Sequence, residues 1–345
     1  MFLWLFSLGV KHMQTNPIIR KGLAVGIILL FVGTCIIPST AQNIEKPLPK
    51  SRGHWLYVGG NGSGNFTKIQ DAINASSDGD TVFVFQGTYH EHLITISKGI
   101  FLRGENRLTT IIDGDNMDMP VLLIHTNANV SIETFTITNS TQEGIFEGGE
   151  YNPIKIEIYT NIITKTQTGI FLNGMEIPDR EFRIGHNEIT ETEIGILMTQ
   201  ASGWIYSNKI YNNSVGIELS KSIEGGAIER NVITNNNQSG LYLKNIKNSF
   251  IAENSFTKNY YGVYLENISI GNVFYHNNFI NNRIQAFIDK SLSNTWQGNY
   301  WNNWIGRLIP ILPFIYFPKV IIGRHGSFLC FDFDWSPPWI PYPWN

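Results

Sequence analysis

The 345-residue chain carries 25 Lys and Arg against 28 Asp and Glu, a formal charge of −3, with 42% apolar residues. That balance supports a sizeable core and excludes a nucleic-acid binder, because no basic tract interleaves with aromatics. Only 15% of residues are charged while Asn is abundant, so backbone groups are expected to be satisfied by side-chain amides more than by ion pairs.

Arg20 and Lys21 precede an apolar run that ends in the small-x-small triplet Ser39–Ala41, the layout of a secretory signal. Export with cleavage near Ala41 is expected, an uncleaved anchor being the alternative. Met13, just before the basic pair, reads as the true start, and residues 42–53 as a linker. Cys35 falls inside the leader, so Cys330 is the one thiol expected in the mature chain and no internal disulfide forms. Sequons at Asn65, Asn74, Asn129, Asn212 and Asn267 suit a glycosylated surface protein, although an Asn-rich chain produces such triplets by chance.

Residues 54–80 begin as a short strand, pass through "GGNGSGNFTK" and enter a helix. A dinucleotide fingerprint would need a third glycine where Asn65 stands, and a P-loop would need Gly-Lys-Ser/Thr at the loop's end. Both phosphate readings fail. Thr67 and Gln70 read as a capping box, and Phe66, Ile69, Ala72 and Ile73 share one face of a short amphipathic helix. An open-ended solenoid exposes an apolar cross-section, so this helix is expected to cover the first turn. Strands such as "TVFVF" follow it directly.

From residue 81 to 304 the chain repeats itself. "IYTNIITKTQTGIFL", "IGHNEITETEIGILM", "IYSNKIYNNSVGIEL" and later segments follow I-x-x-N-x-I, a polar turn, then G-I-x-L. The Asn positions are Asn161, Asn187, Asn208, Asn231, Asn254 and Asn277, continued by Asn299. A period of about 21 to 26 residues allows a leucine-rich repeat or a parallel β-helix. Apolar positions alternate and are mostly Ile, Val and Phe with no helical spacing, which selects the β-helix. Stacked at roughly 4.8 Å, identical amides can bond from turn to turn as a ladder, with Asn itself taking the left-handed corner conformation. Gly144, Gly169, Gly195, Gly216, Gly240 and Gly262 read as the opposite corner, where a Cβ has no room.

The stretch from Gly62 to Gly114 resembles the opening of pectin-lyase-like right-handed β-helix proteins. The Asn-x-Ile/Phe repeats and "WQGNYWNNWIG" (296–306) resemble the NosD-type family, periplasmic copper-binding proteins, especially its secreted archaeal members. The resemblance covers about residues 54 to 306. It implies an all-β, single-stranded right-handed parallel β-helix with an N-terminal capping helix and an irregular C-terminal cap. Its motifs are specific for fold and unspecific for activity. The D-D and G-H-G signatures of polygalacturonases, the paired aspartates of pectin methylesterases and the D-P-H-D of alginate epimerases are all missing, so no catalytic residue is assigned and the chain leans away from being an enzyme.

Within G-I-x-L the x side chains point outward, which places Phe171, Leu197, Glu218, Tyr242 and Tyr264 on one exposed column, with Thr199, Ser220, Lys244 and Glu266 beside it. Glu218 and Glu266 come out roughly 12 Å apart by strand spacings, wider than the range of about 5 to 9.5 Å for glycosidase pairs. Lys244 is expected to neutralise Glu266. Tyr242 and Tyr264 on adjacent turns would form an aromatic shelf for sugar rings, with Phe171, Glu218 and Glu266 around it; cross-turn stacking for its own sake explains them equally well. His90 and His92, about 7 Å apart on one side of a strand, form a candidate metal pair that still needs further ligands. The residues call for no cofactor. Copper enters only through the family resemblance, and calcium would need an acid cluster that the outward faces do not show.

Beyond Arg307 the repeat stops in a Pro- and aromatic-rich tail, expected to close the last turn as an irregular cover (305–345) with Trp296, Trp301 and Trp304 as its seam. Left exposed, residues 307–345 would instead contact membrane or a surface layer. Asp332 and Asp334 would share a face as a carboxylate pair. The expected function is a secreted or envelope β-helix that binds polysaccharide along its flank. A polysaccharide-active enzyme with an unfamiliar site and a copper-handling protein are the alternatives.

Overall fold

A computed structural model describes residues 53–148, 155–174, 181–221, 226–304 and 318–344. The expected leader with Met13 and Cys35, nearly all of the linker expected at 42–53, and residues 305–317 of the expected C-terminal cover lie outside them. From Trp55 onward the chain winds into a parallel β-solenoid of about ten turns. Its strands are numbered in chain order from β1 (Trp55–Val58) to β30 (Phe328–Asp334). Most turns lay down three short strands, while β12 (Ile162–Asn173) and β14 (Glu188–Thr199) each run across two faces. Thus β18 (Ala227–Glu229), β19 (Val232–Thr234) and β20 (Ser239–Lys244) pair in parallel with β21 (Phe250–Ala252), β22 (Ser255–Thr257) and β23 (Tyr261–Glu266) of the next turn. Three faces result, called first, second and third in that order. Alternation sends Ile228, Ile233, Leu241 and Leu243 inward onto Ile251, Phe256, Val263 and Leu265, all buried, and leaves the intervening residues outside. Among the described residues no helix is long and apolar enough to cross a membrane.

The corner between the first and second faces carries the Asn ladder. Asn187 donates from both its backbone N and Nδ2 to Asn208 Oδ1, at 2.9 and 3.0 Å, and Nδ2 also reaches Ile158 O. Asn208, Asn231, Asn254 and Asn277 repeat the pattern, and Asn161 begins it. All six are buried. The left-handed corner residue is not the Asn itself, as its tolerance of that conformation suggested, but the residue before it: Thr160, His186, Ser207, Arg230, Glu253 and His276 have φ between 53° and 58°. The Asn turns inward because its amide satisfies two buried backbone groups, the N–H of the ladder Asn before it and an Ile carbonyl, as Asn208 does with Asn187 N and Ile184 O, whereas the preceding side chain, in left-handed backbone, is thrown outward.

A second ladder runs along the corner between the second and third faces. Asn213, Asn236, Asn259 and Asn282 are linked at 2.9–3.1 Å and topped by Thr192. The repeated glycines stand where the chain enters the third face, near the start of a strand at Gly144, Gly216, Gly240 and Gly262 and within one at Gly169 and Gly195, and do not adopt the left-handed region. They are glycines for want of space, since a Cβ on Gly216 would lie 2.6 Å from the Gly240 carbonyl oxygen.

Both ends are covered. Helix α1 (Ile69–Ala75) buries Ile69, Ala72 and Ile73 against the first turn. Its N-terminus is not closed by a Thr67–Gln70 box. Lys68 occupies the cap position without a side-chain bond, and the Glu91 carboxylate accepts the Ile69 and Gln70 N–H groups at 2.7 and 3.1 Å. Gln70 instead pairs its amide with both backbone groups of Thr95 in β4 (Ile94–Ile96), serving as the strand neighbour that this first strand lacks. At the other end, β29 (Lys319–His325) and β30 form an antiparallel hairpin, so this part of the cover is regular where an irregular one was expected. Its strands add to β26 (Ile284–Asp289) on the third face and to β27 (Thr295–Gln297) on the first face of the turn that follows. The predicted seam is there: Trp296 stacks on Phe274 at 3.9 Å and Trp301 on Phe279 at 4.1 Å, while Trp304 packs near Trp339. Asp334 is fully buried and ends the Asn ladder, its Oδ2 accepting from Asn299 N, Asn299 Nδ2 and Trp301 Nε1. Asp332 takes Trp296 Nε1, so both carboxylates hold the cover to the last turn.

Candidate functional site

The predicted column lies on the outer side of the third face. The strand register places Phe171, Leu197, Glu218, Tyr242, Tyr264 and Phe287 in one row, with Thr199, Ser220, Lys244, Glu266, Asp289 and Arg324 in the next. Tyr242 and Tyr264 stack at 5.4 Å with 23° between their planes, and Tyr264 continues to Phe287 at 5.7 Å. The rings therefore pack partly on each other and are half-buried, presenting edges and part of their faces in place of a flat shelf. Phe171 stacks near Phe146 at the other end of the row, 5.3 Å away.

Hydrogen bonds across turns hold the tyrosines. The Tyr242 hydroxyl donates to Glu266, and the Tyr264 hydroxyl to Asp289 Oδ2 at 3.4 Å, which also takes Arg324 Nη2 at 2.8 Å. The other Asp289 oxygen is buried and receives no hydrogen bond. The expected Lys244–Glu266 ion pair does not form; Glu266 instead accepts from Tyr242 and from Asn267 Nδ2. Burial raises the Glu218 carboxyl above the usual range, the Lys244 charge pulls it back, and the Glu266 charge raises it again. One face thus gathers aromatic edges, three acids and two cations within a few turns.

His90 ends β3 (Gly87–His90), whereas His92 lies past the strand, just before Leu93 turns the chain with φ 50°. His90 meets Asp115 instead, Nδ1 to Oδ1 at 2.7 Å, with Asp113 close by. Among the described residues no other group of three His, Cys, Asp or Glu side chains is close enough to share an ion.

A polar cluster on the first face has no counterpart in the sequence reading. Arg103 pairs with Glu133 at 3.4 Å; Arg183 approaches Glu157 at 3.8 Å, pairs with Glu181 and lies 5.0 Å over the Trp204 ring. The Tyr159 hydroxyl donates to Glu157, and burial together with its bond to Tyr206 pushes it well above the ordinary phenol range. Tyr159 and Tyr206 close over Gly185, where a Cβ would strike both rings. The turns here are joined at 26 and 30 residues, as in Glu157 to Arg183 and Arg103 to Glu133, so no single repeat length aligns these residues. Its cations are already matched by carboxylates. A cleft of 720 Å³ beside α1, lined by Ser77, Asp78, Lys98 and Asn127 among others, is separate from both patches.

The chain is 27% identical over 156 residues to an uncharacterised protein, YwoF, of Bacillus subtilis, spanning 38% of this chain and a third (33%) of that one. Among solved structures it resembles the A-module of mannuronan C-5 epimerase AlgE4 of Azotobacter vinelandii, with a TM-score of 0.53 and 15% identity over 71% of this chain and 87% of that one. It also resembles pectate lyase Pel9A, with a TM-score of 0.41 and 15% identity over 73% and 71%. At such identities the likeness concerns the fold alone. The family model described as "Periplasmic copper-binding protein (NosD)" matches residues 73–306, the repeats and both ladders included, and the chain accordingly belongs to the NosD family.

Proposed function

We propose that this chain is an exported, non-catalytic β-helix protein that binds polysaccharide along its third face. The observation that carries the reading is the column Tyr242–Tyr264–Phe287, bordered by Glu218, Glu266 and Asp289 on a face built of regular strands. Aromatic edges and partial faces pack against the apolar side of a pyranose, while adjacent carboxylates accept its hydroxyls. Ring spacings of 5.4 and 5.7 Å run along the tube axis, so an extended sugar chain lying on that axis meets one ring per turn. Phe171 and Phe146 extend the apolar track toward the N-terminal turns.

Copper handling, which the family description suggests, is less well supported by these residues. Copper(I) favours thiolate and thioether donors, and the cluster around His90 offers one imidazole and two carboxylates. Cys330 is buried, with its thiol raised by that burial. No step is assigned to copper.

The test is retention on an array of neutral and acidic polysaccharides, comparing the intact protein with the Tyr242→Ala/Tyr264→Ala double variant, both checked for an unchanged thermal melt. A loss of at least about tenfold in retention is expected, in line with the removal of two stacking contacts of roughly 1 kcal/mol each. Equal retention by the two proteins, or none by the intact protein, overturns the reading. New reducing or unsaturated ends on a retained polysaccharide would replace binding with catalysis.

A further inference from the structure

We infer that His90, Asp113 and Asp115 form a binding site for a divalent first-row cation of the zinc type. The site arises from two neighbouring turns. His90 closes β3, and the parallel register sets Asp113 of β6 (Thr110–Met117) directly beside it. Asp115, two residues on, would ordinarily continue along the strand. Instead β6 is irregular between Asp113 and Met117, and Asp115 and Asn116 both take left-handed backbone, φ 54° and 56°. That bend returns the Asp115 carboxylate to the imidazole at 2.7 Å and brings one donor atom from each of the three residues within 4.8 Å of the others.

The carboxylate of Asp113 is fixed in place. Asp113 is held from outside the trio, its Oδ2 accepting from Asn139 Nδ2 at 2.9 Å, while its Oδ1 accepts from the Asp115 N–H at 2.9 Å. An outer residue that fixes a carboxylate before the ion arrives is the usual support of a ligand set. One imidazole nitrogen and two carboxylate oxygens suit zinc, for which three protein ligands with water in the remaining position make an open site. His90 and Asp115 keep 63% and 41% of their side-chain surface, so their side chains can move onto the ion and water can complete its shell. His92 takes no part. An ion here would tie the first two turns of the second face together through side chains as well as backbone, and so would hold the N-terminal end of the solenoid closed.

The experiment is calorimetric titration of the full chain with Zn(II), paired with thermal melts with and without the ion. One ion per chain with a Kd at or below about 10 μM is expected, together with a higher melting temperature when it is bound. His90→Ala and Asp115→Asn should each weaken binding at least about tenfold, and Asn139→Ala by about tenfold, as the loss of an outer support does. His92→Ala should bind as the intact chain does. Metal-free melts equal to that of the intact chain show that the variants are folded. Unchanged affinity in His90→Ala and Asp115→Asn, dependence on His92, or no binding tighter than that of a surface histidine overturns the site. So does Ca(II) binding there that His90→Ala leaves untouched, since that would leave the imidazole without a role.

Discussion

Glu218 carries its charge in a place that partly withholds water, and the effect on stability has a definite sign. Burial raises its carboxyl above the ordinary range, with Lys244 opposing and Glu266 adding to the shift. A carboxyl raised on folding favours the protonated state of the folded chain, so stability falls as pH rises through the interval between its unfolded and folded values and stays lower above it. Glu218→Gln should therefore melt at a higher temperature than the intact protein at pH 7 and lose that advantage near pH 3. A differential scan at the two pH values decides it; an advantage that is the same at both would show that packing, not charge, was responsible. The same scale explains what the corners require. Ser207, Arg230 and Glu253 sit in left-handed backbone at φ 54–58° although none is glycine. The ladder amide that follows each of them supplies the compensating bonds.

At the scale of the element, the third-face strands show how far the repeat was legible. The alternation of G-I-x-L yields the inward residues and the outward column, and the register places Glu218, Tyr242 and Tyr264 in one row as the pattern implies. The repeated glycines are a matter of clearance. In Gly216→Ala the new methyl would meet the Gly240 carbonyl oxygen at 2.6 Å and the Ile233 side chain at 2.9 Å. Backbone cannot step aside as a flexible side chain can, and a loss of about 1–3 kcal/mol in urea unfolding is expected; a loss below about 0.5 kcal/mol would mean that the turns slide apart to admit it. What the sequence concealed is equally physical. Asn213 and Asn236 sit in polar turns where amides are common for many reasons, so their row shows only in the stacking. Asp115 joins His90 only because β6 bends, and no spacing rule signals that bend. Glu91 replaces Thr67 as the helix cap from 22 residues beyond Ile69, which a local motif cannot report.

For the whole molecule the two covers matter as much as the turns between them. Asp334 ends the ladder by accepting from Gly298 N, Asn299 N, Asn299 Nδ2, Trp301 Nε1 and Ser336 N. Asp334→Asn keeps the shape but offers one oxygen where two were used and turns an N–H group toward other donors. The expected cost is about 1.5–3 kcal/mol, read as a lower melting temperature and faster hydrogen exchange at the Trp301 indole. If exchange at that indole were unchanged, the C-terminal cover would not depend on this carboxylate.

Every amide in the first ladder, from Asn161 through Asn299, donates to the side chain on its C-terminal side, accepts from its N-terminal side, and gives its remaining N–H to a carbonyl of the turn before. Their dipoles consequently add along the tube, with the positive pole where a carboxylate stands to meet it and the negative pole where Asn161 Oδ1 receives the Phe135 N–H. The solenoid is thus electrically directional. One whole turn can be gained or lost without disturbing that alignment, because each amide finds the same partner in the turn that follows, whereas a single reversed amide would set two like poles against each other inside the protein.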